Sequence, residues 1–481
     1  MDPRDQRIAE LEVAVASRDA LIAQQQAAIQ VLTEKVQQLE RTVAELTERL
    51  NRNSRNSHLS PSSDGPGARE GDKPKGGSRR QPGGQPGHRG HHRSLLPPDQ
   101  VDHIVHHFPA ECDDCGAKLP KVVDPNATRT QVTEMPPVQP EVTEHRCHAV
   151  TCNCGCTTRA RPDALPTSPF GPRLMSLIAL FTGVYHLSRR QTVRVLNDVL
   201  GTQISLGAVS SVEARVSTAL EPAADDAWAK IDQAPVKHAD ATSWLHKGKS
   251  RTLWTLATAV ATVFKIVVDG SAATIKPFFG ACKGILVSDR GTVFSFWRMN
   301  FRQICWAHLI RKFIAFSERD GPAAQVGQEL LQYAELLFKY WQDFRAGNLS
   351  KKRLLEWMAP VCRQVEGCLQ RAVDADIDQV SGSCADILAH RQALWTFLTR
   401  DGVEPTNNHA EQELRAFVLW RKRCFGAQSE RGHVFAERVM TAAHTARKQN
   451  RNVLAFLTAC CEAHLSNTAS PSLFAAETAA A

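Results

Sequence analysis

Between residues 6 and 50 apolar side chains recur at alternating steps of three and four, uninterrupted by glycine or proline. Ile8, Val15, Ile22, Ile29, Val36, Val43 and Leu50 hold heptad position a; Leu11, Leu32, Leu39 and Leu46 hold position d, with Arg18 and Gln25. A seam of this length restricts the segment to one long helix. β-Branched residues at a with leucine at d favour a parallel two-stranded coiled coil, and polar d positions weaken it locally while fixing register. Residues 1–50 are therefore expected to be an oligomerisation helix.

The heptads stop at Asn51. The Gly/Pro/Ser-rich stretch over 51–100 has too few large apolar residues for a core. Its Arg69, Lys73, Lys75, Arg79, Arg80, Arg89 and Arg93 make it a basic linker, attracted to phosphates without reading sequence. The net charge of the 481 residues is only +8, so clustering of basic residues, rather than their total, points to nucleic acid. Of 14 cysteines, six fall between residues 112 and 156, the density of a metal site rather than of a disulfide scaffold. Cys112-Asp-Asp-Cys115-Gly and Cys152-Asn-Cys154-Gly-Cys156 suit tetrahedral Zn²⁺, because glycine lets the chain turn beneath converging thiolates. Cys112, Cys115, Cys152 and Cys154 are the expected ligands of a module over 101–165, with Cys156, Cys147, His145 and His148 in reserve. The most apolar run, Leu174–Leu187, is shorter than a bilayer span and contains Thr182, Gly183 and His186, so it reads as a core helix of a cytoplasmic protein.

Residues 166–222 read as helices. LSRRQTVRVLNDVLG and SLGAVSSVEARVSTAL resemble a helix-turn-helix, with Ser205 as a cap and Arg189, Arg190 and Arg194 toward a DNA backbone. At Pro235 the period changes to that of strands: VKHADATSW, SRTLWTLATAV and TVFKIVVDG, then a helix near Ala272–Phe279, then GILVSD. Asp240 lies in the first of these strands and Asp289 ends the fourth. In a ribonuclease-H-like sheet those two strands are neighbours. RQICWAHLIRKF reads as a helix start with Cys305 and His308 on one face, and residues 316–400 as an all-α insertion between catalytic parts at 223–315 and 401–465. Pro405, Thr406 and Asn407 read as a helix start whose short polar side chains cap the first N–H groups. Ala410, Leu414, Phe417 and Val418 then form an apolar stripe, with Glu411 at its boundary. Glu413, roughly 200° round, is expected to point to water. Arg415, Arg421, Lys422 and Arg423 follow as a path for a polyanion, and the tail over 466–481 is expected to be disordered.

In NSRNSHLSPSSDG, GGQPGHRGHH, CDDCG, HADATSW, LVSDR, RQICWAHLIRKF and EPTNNHAEQELRAFVLWRKRCFGAQSERG, nearly the whole chain resembles transposases of the insertion sequence 66 family. The resemblance implies a multidomain α+β chain: a coiled coil, a small zinc-binding module, a helical DNA-binding region, and a ribonuclease-H-like α/β catalytic domain with an all-α insertion. It also implies a DDE triad at Asp240, Asp289 and Glu411 that binds two Mg²⁺ or Mn²⁺ ions for two-metal phosphoryl transfer, with a Cys-x-x-His signature at Cys305 and His308. The implied partners are terminal inverted repeats, target DNA, a second copy through the coil and small accessory transposition proteins, with no membrane. Departures from the pattern are Ala241, where Glu is usual, and Trp297, where Tyr is typical. A catalytically inactive DNA-binding repressor, or a nuclease that cuts without joining, are the competing readings.

Overall fold

A computed structural model describes residues 3–51, 56–57, 93–161, 165–279 and 283–474. The basic linker positions Arg69 to Arg89 and residues 475–481 lie outside the described residues. The chain divides into two compact units, one holding residues 70–160 and 193–204, the other the remainder.

In the smaller unit, β1 (Ala149–Thr151) and β2 (Thr157–Arg159) form an antiparallel ribbon around the second cysteine group. The first group closes through Cys112 N–H to Ala117 O at 2.9 Å and Gly116 N–H to Cys112 O at 2.9 Å. Gly116 (φ 70°) and Gly155 (φ 85°) turn the two loops in the left-handed region, where glycine carries no Cβ penalty.

In the larger unit, α1 (Pro3–Asn51) is one helix whose Ile8, Leu11, Ile22, Leu32, Leu39 and Leu46 are all exposed. Helices follow: α2 (Pro172–Ala179), which continues into a π-turn at Leu180–Val184, α3 (Arg189–Leu200), which passes into the smaller unit at Val193, then α4 (Leu206–Ala219) and α5 (Glu221–Gln233). Ser205 caps α4, its Oγ accepting from Ala208 N–H at 3.1 Å. β3 (Val236–His246), β4 (Lys249–Ala257), β5 (Thr262–Val267), α6 (Ala272–Phe279), β6 (Ile285–Ser288) and β7 (Arg302–Ile304) then build a five-stranded sheet of order β5-β4-β3-β6-β7. The hairpin pairs β3–β4 and β4–β5 are antiparallel; β3–β6 and β6–β7 are parallel.

β7 was not foreseen: a helix start was expected at Arg302. Three residues are too few to show a strand period, and two are polar. Both are buried because their side chains bond to backbone: Arg302 Nη2 donates to Asp289 O at 2.9 Å and Gln303 Nε2 to Leu394 O at 3.1 Å. The helix begins only at α7 (Trp306–Ser317), with Cys305 at its N-cap. It is followed by α8 (Gly321–Arg345), α9 (Lys351–Asp374), α10 (Ser381–Ala389) and two single turns, α11 (Arg391–Leu394) and α12 (Thr396–Thr399). Their core, around Trp306, Phe313, Leu330, Met358 and Phe397, continues into the sheet through Val287 and Ile304.

The chain returns to the sheet with α13 (Asn408–Cys424) against β3 and β4, α14 (Glu430–Lys448) against β5, and α15 (Val453–Leu465) against α2. β5 is an edge strand, and α14 satisfies its free N–H groups. Glu437, Thr441 and Thr445, spaced by four along the helix, accept from Ile266 (2.8 Å), Phe264 (3.2 Å) and Thr262 (3.1 Å), spaced by two along the strand. An exposed edge would invite pairing with another chain. The segment after Ser466 is also ordered as far as Phe474, contrary to expectation: Leu473 is fully buried and donates its N–H to Asp226 at 3.1 Å. Thr441→Val should cost about 1–3 kcal/mol, read from the denaturant midpoint, because it leaves the Phe264 N–H buried and unpaired.

Candidate active site

The parallel pairing of β3 with β6 ends at His238 opposite Val287. Asp240 and Asp289 each stand two residues beyond that last pair, where the strands part. This opening at the carboxyl ends of parallel strands is the usual binding crevice of such sheets. α13 lies over β3 and presents Glu411 from its first turn. Asp240 Oδ1 accepts from Ala241 N–H at 2.8 Å and Asp289 Oδ1 from Gly291 N–H at 2.9 Å, which fixes both carboxylates. Burial, with the charges of Glu411 and Asp289 adding to it, pushes the Asp240 carboxyl up to about 7. The charges of Glu411 and Asp289 thus both act on Asp240.

Glu411 is held on one side only. Its Oε2 accepts from Arg311 Nη2 at 3.3 Å, and its Oε1 is buried without a hydrogen-bond partner, 3.7 Å from His308 Nδ1. Donor atoms of Cys305, His308 and Glu411 all lie within 4.8 Å of one another. Burial pushes the Cys305 thiol up to about 11, so it remains a thiol and accepts the Asn407 N–H at 3.1 Å.

Asn407 occupies the N-cap position of α13, but its side chain does not cap the helix as expected. Its Nδ2 donates to Ala239 O at 2.7 Å and its Oδ1 lies 3.3 Å from His238 Nδ1. Sequence reasoning missed this bridge because a short polar residue before a helix has the same local signature whichever way it bonds.

The expectation for Glu413 also fails. Instead of facing water it lies in a network beneath α14, with its Oε1 3.0 Å from Lys448 Nζ and its Oε2 bonded to His444 Nδ1. Burial alone would raise this carboxyl, but the hydrogen bond and charge of His444, with Lys448, outweigh it and hold the group at about 2. Lys448 Nζ also lies 2.7 Å from His409 Nε2. The helix has two covered sides, and only the apolar one was visible as a stripe.

Among the basic residues, Arg415, Lys422 and Arg423 are exposed on α13, as is Arg190 on α3. Arg421 is partly buried and bonds across to Thr242 Oγ1 (3.3 Å) and to Ser243, stapling α13 to β3. Arg189 is engaged with Glu213, its Nε 2.9 Å from Oε2. In the smaller unit, Cys112 is held below the ordinary thiol range by the N–H groups of Cys115 and Asp114, and Cys154 by the N–H of Cys156 and the Cys152 side chain. Both loops thus favour thiolates. Among the described residues, however, Cys112, Cys115, Cys152 and Cys154 are not gathered into one cluster of three or more donors.

Residues 167–434, more than half of the chain, match the transposase IS66 family. The chain belongs to that family. Residues 109–155 match the zinc-finger binding domain of transposase IS66, and residues 1–94 match a family of unknown function (DUF6444). No curated protein matches the chain. Membership makes this protein a transposase, an enzyme that cleaves DNA, and the second match supports Zn²⁺ in the cysteine module. No described helix is long and apolar enough to cross a membrane.

The raised Asp240 carboxyl has a consequence for the transposase in chelator. A carboxyl lifted from 3.8 to about 7 on folding is stable protonated, and its ionisation opposes folding progressively from about pH 4 up to pH 7. Asp240→Asn removes that cost. The variant should be more stable than the parent at pH 8 by on the order of 4 kcal/mol, and the difference should vanish near pH 4, measured by thermal unfolding.

Proposed function

We propose that this transposase belongs to a bacterial insertion sequence, binds its terminal inverted repeats, and cleaves and joins DNA strands through a DDE triad of Asp240, Asp289 and Glu411. The observation that carries this reading is the convergence of the three carboxylates where β3 and β6 part. The strand order, with two antiparallel hairpin neighbours on one side of β3 and two parallel strands on the other, supports a ribonuclease-H-like catalytic domain interrupted by α7–α12.

The residues fit a hard divalent cation. Asp240, Asp289 and Glu411 offer carboxylate oxygens, and Glu411 Oε1, unpaired by any hydrogen bond and 3.7 Å from His308 Nδ1, is a buried donor atom of the right kind. Mg²⁺ or Mn²⁺ bound there supplies Lewis-acid activation of the attacking hydroxyl and stabilisation of the leaving oxygen. The chain's own residues do the positioning. Arg311 fixes the second oxygen of Glu411, the Ala241 and Gly291 N–H groups aim Asp240 and Asp289, and Asn407 sets the phase of α13. Arg415, Lys422 and Arg423 line the exposed side of the same helix and hold the DNA backbone; Arg190, exposed on α3, is a further phosphate contact, while Arg189 and Arg421 act through protein contacts. Zinc held by Cys112, Cys115, Cys152 and Cys154 orders the smaller unit, and the exposed seam of α1 pairs with a second copy.

Asp240→Ala, Asp289→Ala and Glu411→Ala should each lower Mg²⁺-dependent cleavage and joining of an end-containing duplex by several orders of magnitude. Binding of that duplex should survive, because Lys and Arg contacts to phosphate carry it. Glu462→Ala, exposed on α15, should change neither. An intact protein that binds the ends, with its accessory partners present, and never cuts them would favour the repressor. Glu413→Ala should lose about 3–5 kcal/mol of stability in urea unfolding, since Lys448 and His444 are left buried without their counter-charge.

A further inference from the structure

At the far end of β3 from Asp240, six residues along and so about 20 Å away, a second group of donors is gathered. His246 ends the strand, and Glu430 and His433 lie in the first turn of α14. We infer that His246, His433 and Glu430 form a binding site for a divalent transition ion of the zinc class, clamping the β3–β4 hairpin to the α13–α14 corner.

His246 Nδ1 stands 3.3 Å from His433 Nε2. Two nitrogens bound to one tetrahedral zinc at ~2.0–2.1 Å lie about 3.3 Å apart, so the pair already has the separation of co-ligands. Glu430 Oε2 lies 3.2 Å from His433 Nδ1 and its Oε1 3.8 Å from His246 Nδ1. One oxygen thus fixes the His433 ring with Nε2 turned to the site, the arrangement that orients metal-binding histidines. The other is placed to complete the donor set. Arg251 Nη2, 3.8 Å from Oε1, keeps the exposed carboxylate against the strand end. Two imidazoles and a carboxylate without a thiolate suit Zn²⁺, Co²⁺ or Ni²⁺ better than Mg²⁺.

The backbone builds this site rigidly. Ala427 N–H donates to Leu245 O at 2.9 Å and Lys247 N–H to Ala427 O at 3.2 Å, so the corner is hydrogen-bonded to both neighbours of His246. Gly426 (φ 82°) permits that approach; a Cβ there would meet Leu245 O at 2.1 Å. Ser429 caps α14 by accepting from Gly432 N–H at 3.2 Å, which fixes the turn that bears His433. Three elements meet at the clamp, and two of them also carry triad residues: β3 in its middle and α13 in its first turn.

The test is metal content of the full-length protein, reconstituted with Zn²⁺ or Co²⁺ alone and freed of excess by gel filtration. The parent should retain one equivalent more than His246→Ala. Its Co²⁺ form should show visible ligand-field bands that His246→Ala loses, while the sulfur-to-cobalt absorption of the cysteine module stays in both. Glu430→Gln, at a largely exposed position and tolerable to the fold, should weaken Zn²⁺ binding at this site by about 10–100-fold. Equal metal content in the parent and His246→Ala, or unchanged Zn²⁺ affinity in Glu430→Gln, would overturn the inference. Cleavage activity is not the readout, so the result is independent of the triad's role.

Discussion

The buried side chain of Asn407 is the constraint on which the geometry of the carboxylates depends. Beyond His238, β3 has lost its partner strand on the β6 side, so the Ala239 carbonyl needs a donor, and a buried carbonyl left unmade is costly. Asn407 Nδ2 supplies it, while its backbone N–H is taken by Cys305 Sγ. One residue thereby ties β3, the start of α7 and the start of α13 into a single joint. Glu411, whose N–H donates to Asn407 O at 3.2 Å, follows one turn later and is carried to the opening that holds Asp240 and Asp289.

The rest of α13 is gripped from two directions. Phe417 and Trp420 pack edge-on to Trp244 of β3, with ring centroids 5.4 and 5.9 Å apart, and Arg421 bonds the same strand. On the other side Glu413 is locked into the charges of α14. α14 in turn takes the free edge of β5 through Glu437, Thr441 and Thr445. A helix held by polar and apolar contacts at once keeps Glu411 fixed beside Asp240. Asp240 is raised chiefly by its burial there, with the charges of Glu411 and Asp289 adding to it.

What the sequence showed follows from the range of each signal. β3 to β6 were readable because their alternation or apolar runs are long enough to carry a period; that Asp240 and Asp289 stand on neighbouring strands came from the strand order of a ribonuclease-H-like sheet, not from the period. Glu411 was readable from its place beside the Ala410, Leu414 and Phe417 stripe. Glu413 was not, because a helical wheel shows where apolar residues lie but not which polar ones will meet a buried Lys448 on the next helix. Arg421 looked like its exposed neighbours Lys422 and Arg423; only the fold brings Thr242 and Ser243 to it. β7 was hidden by its three-residue length, and the Asn407 bridge by its likeness to an ordinary cap. The pairing of His246 with His433 spans 187 residues and has no local signature at all.

The central claim is that Asp240, Asp289 and Glu411 share one cation site. The most direct measurement replaces Mg²⁺ with Fe²⁺ and, with ascorbate and peroxide, lets locally generated radicals cut the backbone of the folded protein. The account predicts fragments ending near residues 240, 289 and 411 in the same sample, all suppressed by excess Mg²⁺. Cuts at only one of these segments, or cuts that Mg²⁺ does not suppress, would contradict it.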